Sequence, residues 1–268
     1  MPLDEILIAV ALASYTLGAL ALLGYFFART PWLRDVGIPL AVLGCVAQFA
    51  QLFARWELTG VWPLLNLYGS LSLFTAMSVA IYLGFAFRYR LWFAGGFVLA
   101  LAAIFLAYGV TWYEGTMPPV PSLQSYWAKI HVPIVVSSYA AFLVAFVFSC
   151  MYLIKYYAEQ SLRGRGARAV AGNAGVTMAS DLPLGPAMST IASADPAEFS
   201  TSMLRDTPAL AAAAHAGNPI ARWLSALPSL VQLDVIVNRA VAIGLPLISI
   251  GIITGAMWAK EAWGAYWQ

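Results

Sequence analysis

IHVPIVVSSYAAFLVAFVFSCMYLI, residues 130–154, runs for 25 positions without an Asp, Glu, Lys or Arg. A helix needs about 20 apolar residues to cross some 30 Å of hydrocarbon, whereas a spanning strand is complete in about 10. An isolated strand would also leave its backbone groups unpaired in lipid, so the stretch reads as a membrane-spanning helix. Five more apolar segments of similar length lie near 5–27, 37–54, 63–86, 91–111 and 235–257. The sequence therefore predicts an all-α polytopic membrane protein with about six transmembrane helices.

Bulk composition agrees. Of 268 residues, 62% are hydrophobic and 10% charged, where soluble domains carry about a quarter charged. The net charge of +2, with no basic run, offers nothing to nucleic acid. Arg outnumbers Lys by 11 to 3, in the direction that GC-rich bacterial genomes favour. The two cysteines, Cys45 and Cys150, stand far apart in apolar stretches with no Cys-x-x-Cys, so they read as small buried hydrophobes. The start, MPLDE, carries acid where a signal peptide carries base, and the first span is expected to be retained.

Basic residues orient the spans. Loop one holds Arg29 and Arg34, loop three Arg88 and Arg90, and loop five Lys155, Arg163, Arg165 and Arg168. Loop two has only Arg55, loop four only Lys129 and the C-terminal end only Lys260. The positive-inside rule puts the odd loops in the cytoplasm and both termini outside. Three regions follow: a membrane domain over 1–157 with spans one to five, an insert over 158–232, and a last span with a Trp-rich segment over 233–268. The insert is rich in Ala, Gly, Ser and Pro without a sustained period, which predicts a disordered cytoplasmic segment carrying His215. Its end, IARWLSALPSLVQ (220–232), has the pattern of a short amphipathic helix on the inner surface.

On this topology Trp56, Trp62, Trp112, Trp127, Trp258, Trp263 and Trp267 fall at the outer face, and only Trp32, Trp92 and Trp223 at the inner one. Two readings stand: an aromatic belt anchoring helix ends, or broad flat faces for stacking on a planar ligand. His131, in YWAKIHVPIVV, is the sole histidine in or near a span and lies on the same outer side. It is either an interfacial residue satisfied by a backbone carbonyl or, beside a Trp-lined pocket, a neutral imidazole suited to an iron porphyrin. TMPPVPSLQSYW (116–127) and GVWPLLNLYGS (60–70) bound that pocket, with Pro63 expected near the start of span three. Asn66 and Tyr68 are open between a pocket role and bonds within their own helix.

PSLQSYWAKIHVP (121–133) before a long apolar span, LD-x4-R from Leu233 to Arg239, and GAMWAKEAWGAYWQ (255–268) resemble the CcsA/ResC proteins of the System II pathway of cytochrome c biogenesis. The resemblance skips the 158–232 insert. The family's "WWD" segment reads W-G-x-Y-W-x-W-D-P-K-E, and this sequence supplies Trp263, Gly264, Tyr266 and Trp267 before it stops. It is accordingly expected to be a chain truncated within that segment, lacking the family's later spans and their histidines.

The resemblance implies a subunit of the cytochrome c haem lyase (synthetase) complex in the bacterial cytoplasmic membrane, itself unlike a stand-alone enzyme at this length. It would handle haem b, present it on the outer face, and work with a CcsB/ResB-type membrane subunit and a Cys-x-x-Cys-His apocytochrome c. His131 matches the family's first external haem-ligating histidine. Trp258, Trp263, Gly264, Tyr266 and Trp267 match the platform that holds the porphyrin. No residue is singled out for catalysis, because the thioether chemistry belongs largely to haem and thiol. The competing expectations are a haem transporter or binding subunit without synthetase chemistry, and a structural polytopic subunit.

Overall fold

The computed structural model describes residues 2–113, 121–173 and 227–266, together with Gly217, Ala221 and Leu224. Among these residues the chain is helical without strands: α1 (Leu3–Ala28), α2 (Pro31–Thr59), α3 (Leu67–Tyr89), α4 (Gly95–Thr111), α5 (Tyr126–Asn173) and α6 (Leu230–Trp263). Short 3₁₀ turns at Trp92–Ala94 and Pro121–Gln124 lead into α4 and α5. All six helices are long and apolar enough to cross a membrane.

Helix boundaries follow local backbone chemistry more than the limits of the apolar runs. Arg29, at φ 57°, ends α1 with its N–H bonded to the Tyr25 carbonyl at 2.9 Å. Thr30 is extended, and Pro31 opens α2 at a position where a missing N–H costs nothing. The third span begins later than the proline pattern suggests. Asn66 caps α3 by accepting from the Gly69 N–H at 2.8 Å, so the helix starts at Leu67 rather than at Pro63.

The chain divides into two compact units, residues 1–147 with 237–268, and residues 148–236. In the first, α1 packs on α2 and α4, and α3 on α4 and α2. Tyr15, Leu22, Tyr68, Tyr82, Leu99 and Leu106 are its largest fully buried side chains. A smaller cluster joins Leu52, Leu64, Leu73 and Val136, with Trp62 and Val132 packed against it. At the end of the unit that carries the start of α1, Asp4 pairs with Arg55 at 3.5 Å, both nearly buried. The Arg55 guanidinium lies 4.9 Å from the Tyr68 ring centroid and 4.8 Å from that of Tyr113. Neither charge is the solvated loop residue that the sequence suggests. Removing Arg55 from such a pair costs about 3–5 kcal/mol, because the buried Asp4 carboxylate loses its counter-ion.

In the second unit Lys155 is fully buried. Its ammonium donates to the carbonyls of Leu227 at 3.3 Å and Pro228 at 2.7 Å, and stands 3.8 Å from Glu159 one turn on. Phe148, Leu224, Leu233 and Ile236 are the other large side chains fully buried in this unit. Most of the expected insert, including His215 and Trp223, lies outside the described residues. At its start, helix α5 continues past residue 158 to Asn173.

Candidate functional site

Helix α6 meets α5 along an edge of glycines. A Cβ on Gly244 would stand 2.7 Å from the Phe142 ring, one on Gly251 2.5 Å from Val135 Cγ2, and one on Gly255 2.8 Å from His131 Cε1. Those separations are below van der Waals contact, so the helices could not approach this closely with any larger residue. Ser138 exploits the approach, donating to the Gly244 carbonyl at 3.1 Å.

Close approach brings His131 onto the backbone of α6. Its Nδ1 is 2.9 Å from the Gly251 carbonyl oxygen. A carbonyl only accepts, so Nδ1 carries a proton, and in the neutral imidazole the lone pair is on Nε2. Thr254 Oγ1 lies 3.5 Å from Nδ1 and donates its own proton to the Ile250 or Gly251 carbonyl, each at 3.0 Å. Trp258 stacks beside the imidazole, with centroids 5.8 Å apart and planes inclined by 21°. The ring is half-buried. The two readings of His131 left open by the sequence are thus compatible, since the carbonyl takes one nitrogen and leaves the other.

The last turns of α6 are tied to the segment before α5. Trp258 Nε1 donates to the Ser122 carbonyl at 2.8 Å, and Ser125 Oγ donates to Glu261 Oε2 at 2.5 Å. Ser125 Oγ also accepts from the Trp127 N–H at 3.1 Å. Trp263 meets Trp258 edge-on at 5.0 Å and remains half exposed. Gly264, at φ 79°, caps α6 by donating its N–H to the Lys260 carbonyl at 2.9 Å. A left-handed cap of this kind suits glycine, which has no Cβ to clash. Tyr266 beyond it accepts from the Lys260 ammonium.

The structure therefore brings His131, Trp258 and Trp263 into one chain of contacts and places Gly264 and Tyr266 just past it. Trp267 lies outside the described residues. Of the other tryptophans, Trp56 and Trp62 form a separate edge-on pair at 5.2 Å, while Trp112 and Trp127 pair with Tyr108 and Tyr126. Asn66 and Tyr68 are taken up structurally, the first as a cap and the second as a hydroxyl partner of Gln51 Nε2 at 3.0 Å. Sequence reasoning missed Gly251, Thr254, Gly255, Ser125 and Glu261. The Gly251-x-x-x-Gly255 spacing was a usable signal for close helix packing.

The model of the family described as "Cytochrome C assembly protein" matches residues 64–268, which include the whole of the His131–Trp258 site. The chain belongs to the cytochrome c assembly protein family. "Cytochrome c biogenesis protein CcsA" of Gloeobacter violaceus is 31% identical over 266 residues, covering 97% of this chain and 74% of the relative. The protein of the same description from Microcystis aeruginosa is 32% identical over 247 residues, covering 89% and 69%. That from Trieres chinensis is 29% identical over 248 residues, covering 91% and 70%. No solved structure matches the chain. This member of the cytochrome c assembly family is thus a CcsA-type, multi-pass membrane protein of cytochrome c biogenesis.

Proposed function

We propose that this CcsA-type protein handles haem b at the membrane face bearing Trp258, holding the iron through His131 Nε2 and the porphyrin against Trp258 and Trp263. The observation that carries the reading is the bond from His131 Nδ1 to the Gly251 carbonyl at 2.9 Å. It fixes the tautomer and holds the ring's direction, as partners of ligating histidines commonly do. The indoles of Trp258 and Trp263, set edge-on with planes inclined by 60°, offer apolar ring faces, and exposed Trp263 leaves one side open. Gly264, Tyr266 and Trp267 would extend the platform.

We place this face on the outside of a bacterial cytoplasmic membrane, a reading whose orientation is supported by the distribution of arginines and lysines. There the protein would act with a CcsB/ResB-type subunit as part of a cytochrome c synthetase. Haem supplies the vinyl groups, and the thiols of a Cys-x-x-Cys-His apocytochrome add across them, sulfur to one carbon and hydrogen to the other. The residues of this chain contribute orientation of the haem and exclusion of water.

The test is haem content after purification. His131→Ala is expected to lose haem by about ten-fold or more, with partial recovery in added imidazole. His131→Gln can still donate a hydrogen bond but is a poor iron ligand, and should behave like Ala. Wild-type haem content in His131→Gln overturns the assignment.

A further inference from the structure

A second feature of the first unit is independent of haem. Between α2 and α3 runs a line of polar side chains with no exposure at all: Gln48, Gln51, Ser72 and Thr75. Two hydrogen bonds tie it together, Gln51 Nε2 to the Tyr68 hydroxyl at 3.0 Å and Gln48 Nε2 to Thr75 Oγ1 at 2.5 Å. The Thr75 hydroxyl proton goes to the Leu71 or Ser72 carbonyl, so Thr75 must accept from the Gln48 amide. The Gln48 carbonyl oxygen, the Gln51 carbonyl oxygen and Ser72 Oγ, all buried, have no partner among the described residues.

Gln48 and Gln51 are one turn apart on α2, and Ser72 lies on α3 between Tyr68 and Thr75, the residues they reach. Thr75 sits about 12 Å along the axis from the first residue of α3. Burying unpartnered oxygens at such depth is costly, and native proteins relieve it with water that makes about three hydrogen bonds. A cavity of about 390 Å³ lined by Glu5, Ile8, Leu12, Tyr68, Val110 and Tyr113 borders the same tyrosine.

We propose that the α2–α3 seam is a water-binding site within the membrane span. Water donates to the side-chain oxygens of Gln48 and Gln51 and accepts from the Ser72 hydroxyl. The seam thereby carries hydration from the Asp4–Arg55 end of the unit toward the middle of α3.

Radiolytic hydroxyl-radical labelling of the wild-type protein in lipid nanodiscs tests this, because radicals formed from bound water mark side chains that bulk solvent does not reach. Tyr82 provides the internal reference. It is as buried as Tyr68, each with 1% exposure, but its hydroxyl is bonded to the Leu91 and Trp92 carbonyls. Tyr68 should label about five-fold faster than Tyr82 or more. In Ser72→Val, whose added methyl groups displace the water, the Tyr68 rate should fall toward that of Tyr82. Equal rates at the two tyrosines in the wild type overturn the site. So does a fast Tyr68 rate that Ser72→Val leaves unchanged, since that labelling would come from the cavity beside Glu5.

Discussion

At the scale of single residues, the site depends as much on what Gly255 lacks as on what His131 has. A Cβ there would meet His131 Cε1 at 2.8 Å, so Gly255→Ala leaves the imidazole present but displaces it. On our reading of His131, that variant should lose haem by about ten-fold, read from the Soret absorbance per purified protein. Gly264→Ala is the contrast. It strains the left-handed cap at about 1–2 kcal/mol but lies beyond the imidazole, so it should lower the melting temperature while retaining most of the haem. Equal haem losses in the two variants would mean that neither acts through the ring of His131. Sequence alone pointed to the imidazole and to the tryptophans around it. It gave no sign of the Gly251 carbonyl as its partner, because a backbone acceptor 120 positions away has no signature in residue type.

At the scale of helices, apolar length was the legible quantity and contact edges were not. Six spans follow from runs of uncharged residues, since lipid leaves the backbone few alternatives. Their ends were less readable where a local bond outweighs hydropathy, as at Asn66, which delays α3 to Leu67. The glycines that set the α5–α6 spacing look in sequence like apolar filler. Lys155 shows the limit most clearly. Its position after an apolar run marks it as the first charge of a cytoplasmic loop, yet it is fully buried and binds the carbonyls of Leu227 and Pro228. Lys155→Ala should remove the two carbonyl bonds and the ion pair to Glu159 and cost about 3–5 kcal/mol. A thermal melt of the detergent-solubilised variant checks this, and an unchanged midpoint would show that the ammonium contributes nothing to the second unit.

At the scale of the molecule, the distribution of basic residues predicts which way the bundle faces. With the native cysteines replaced, single cysteines in 60–66 should react with an impermeant maleimide from outside, and cysteines at 29–30 or 90–91 should not. Inverted labelling would move the Trp258 site to the cytoplasmic face and remove the basis for meeting an exported apocytochrome there. The burial of Asp4 against Arg55 has a bearing on how the chain reaches its membrane. The two residues lie at the free ends of helices joined only by Arg29 and Thr30, so α1 and α2 form a hairpin closed by charge. An arginine carried into lipid on a lone helix costs about 2.5–3.5 kcal/mol at the span centre, and less toward its end. Insertion of the two segments together lets each neutralise the other before either meets hydrocarbon. The nascent chain should therefore leave the translocon as a pair, with α1 retained at the lateral gate until Arg55 has been synthesised. In Asp4→Asn that wait should shorten, which an arrest-peptide force profile across residues 28–60 would register as an earlier release of α1.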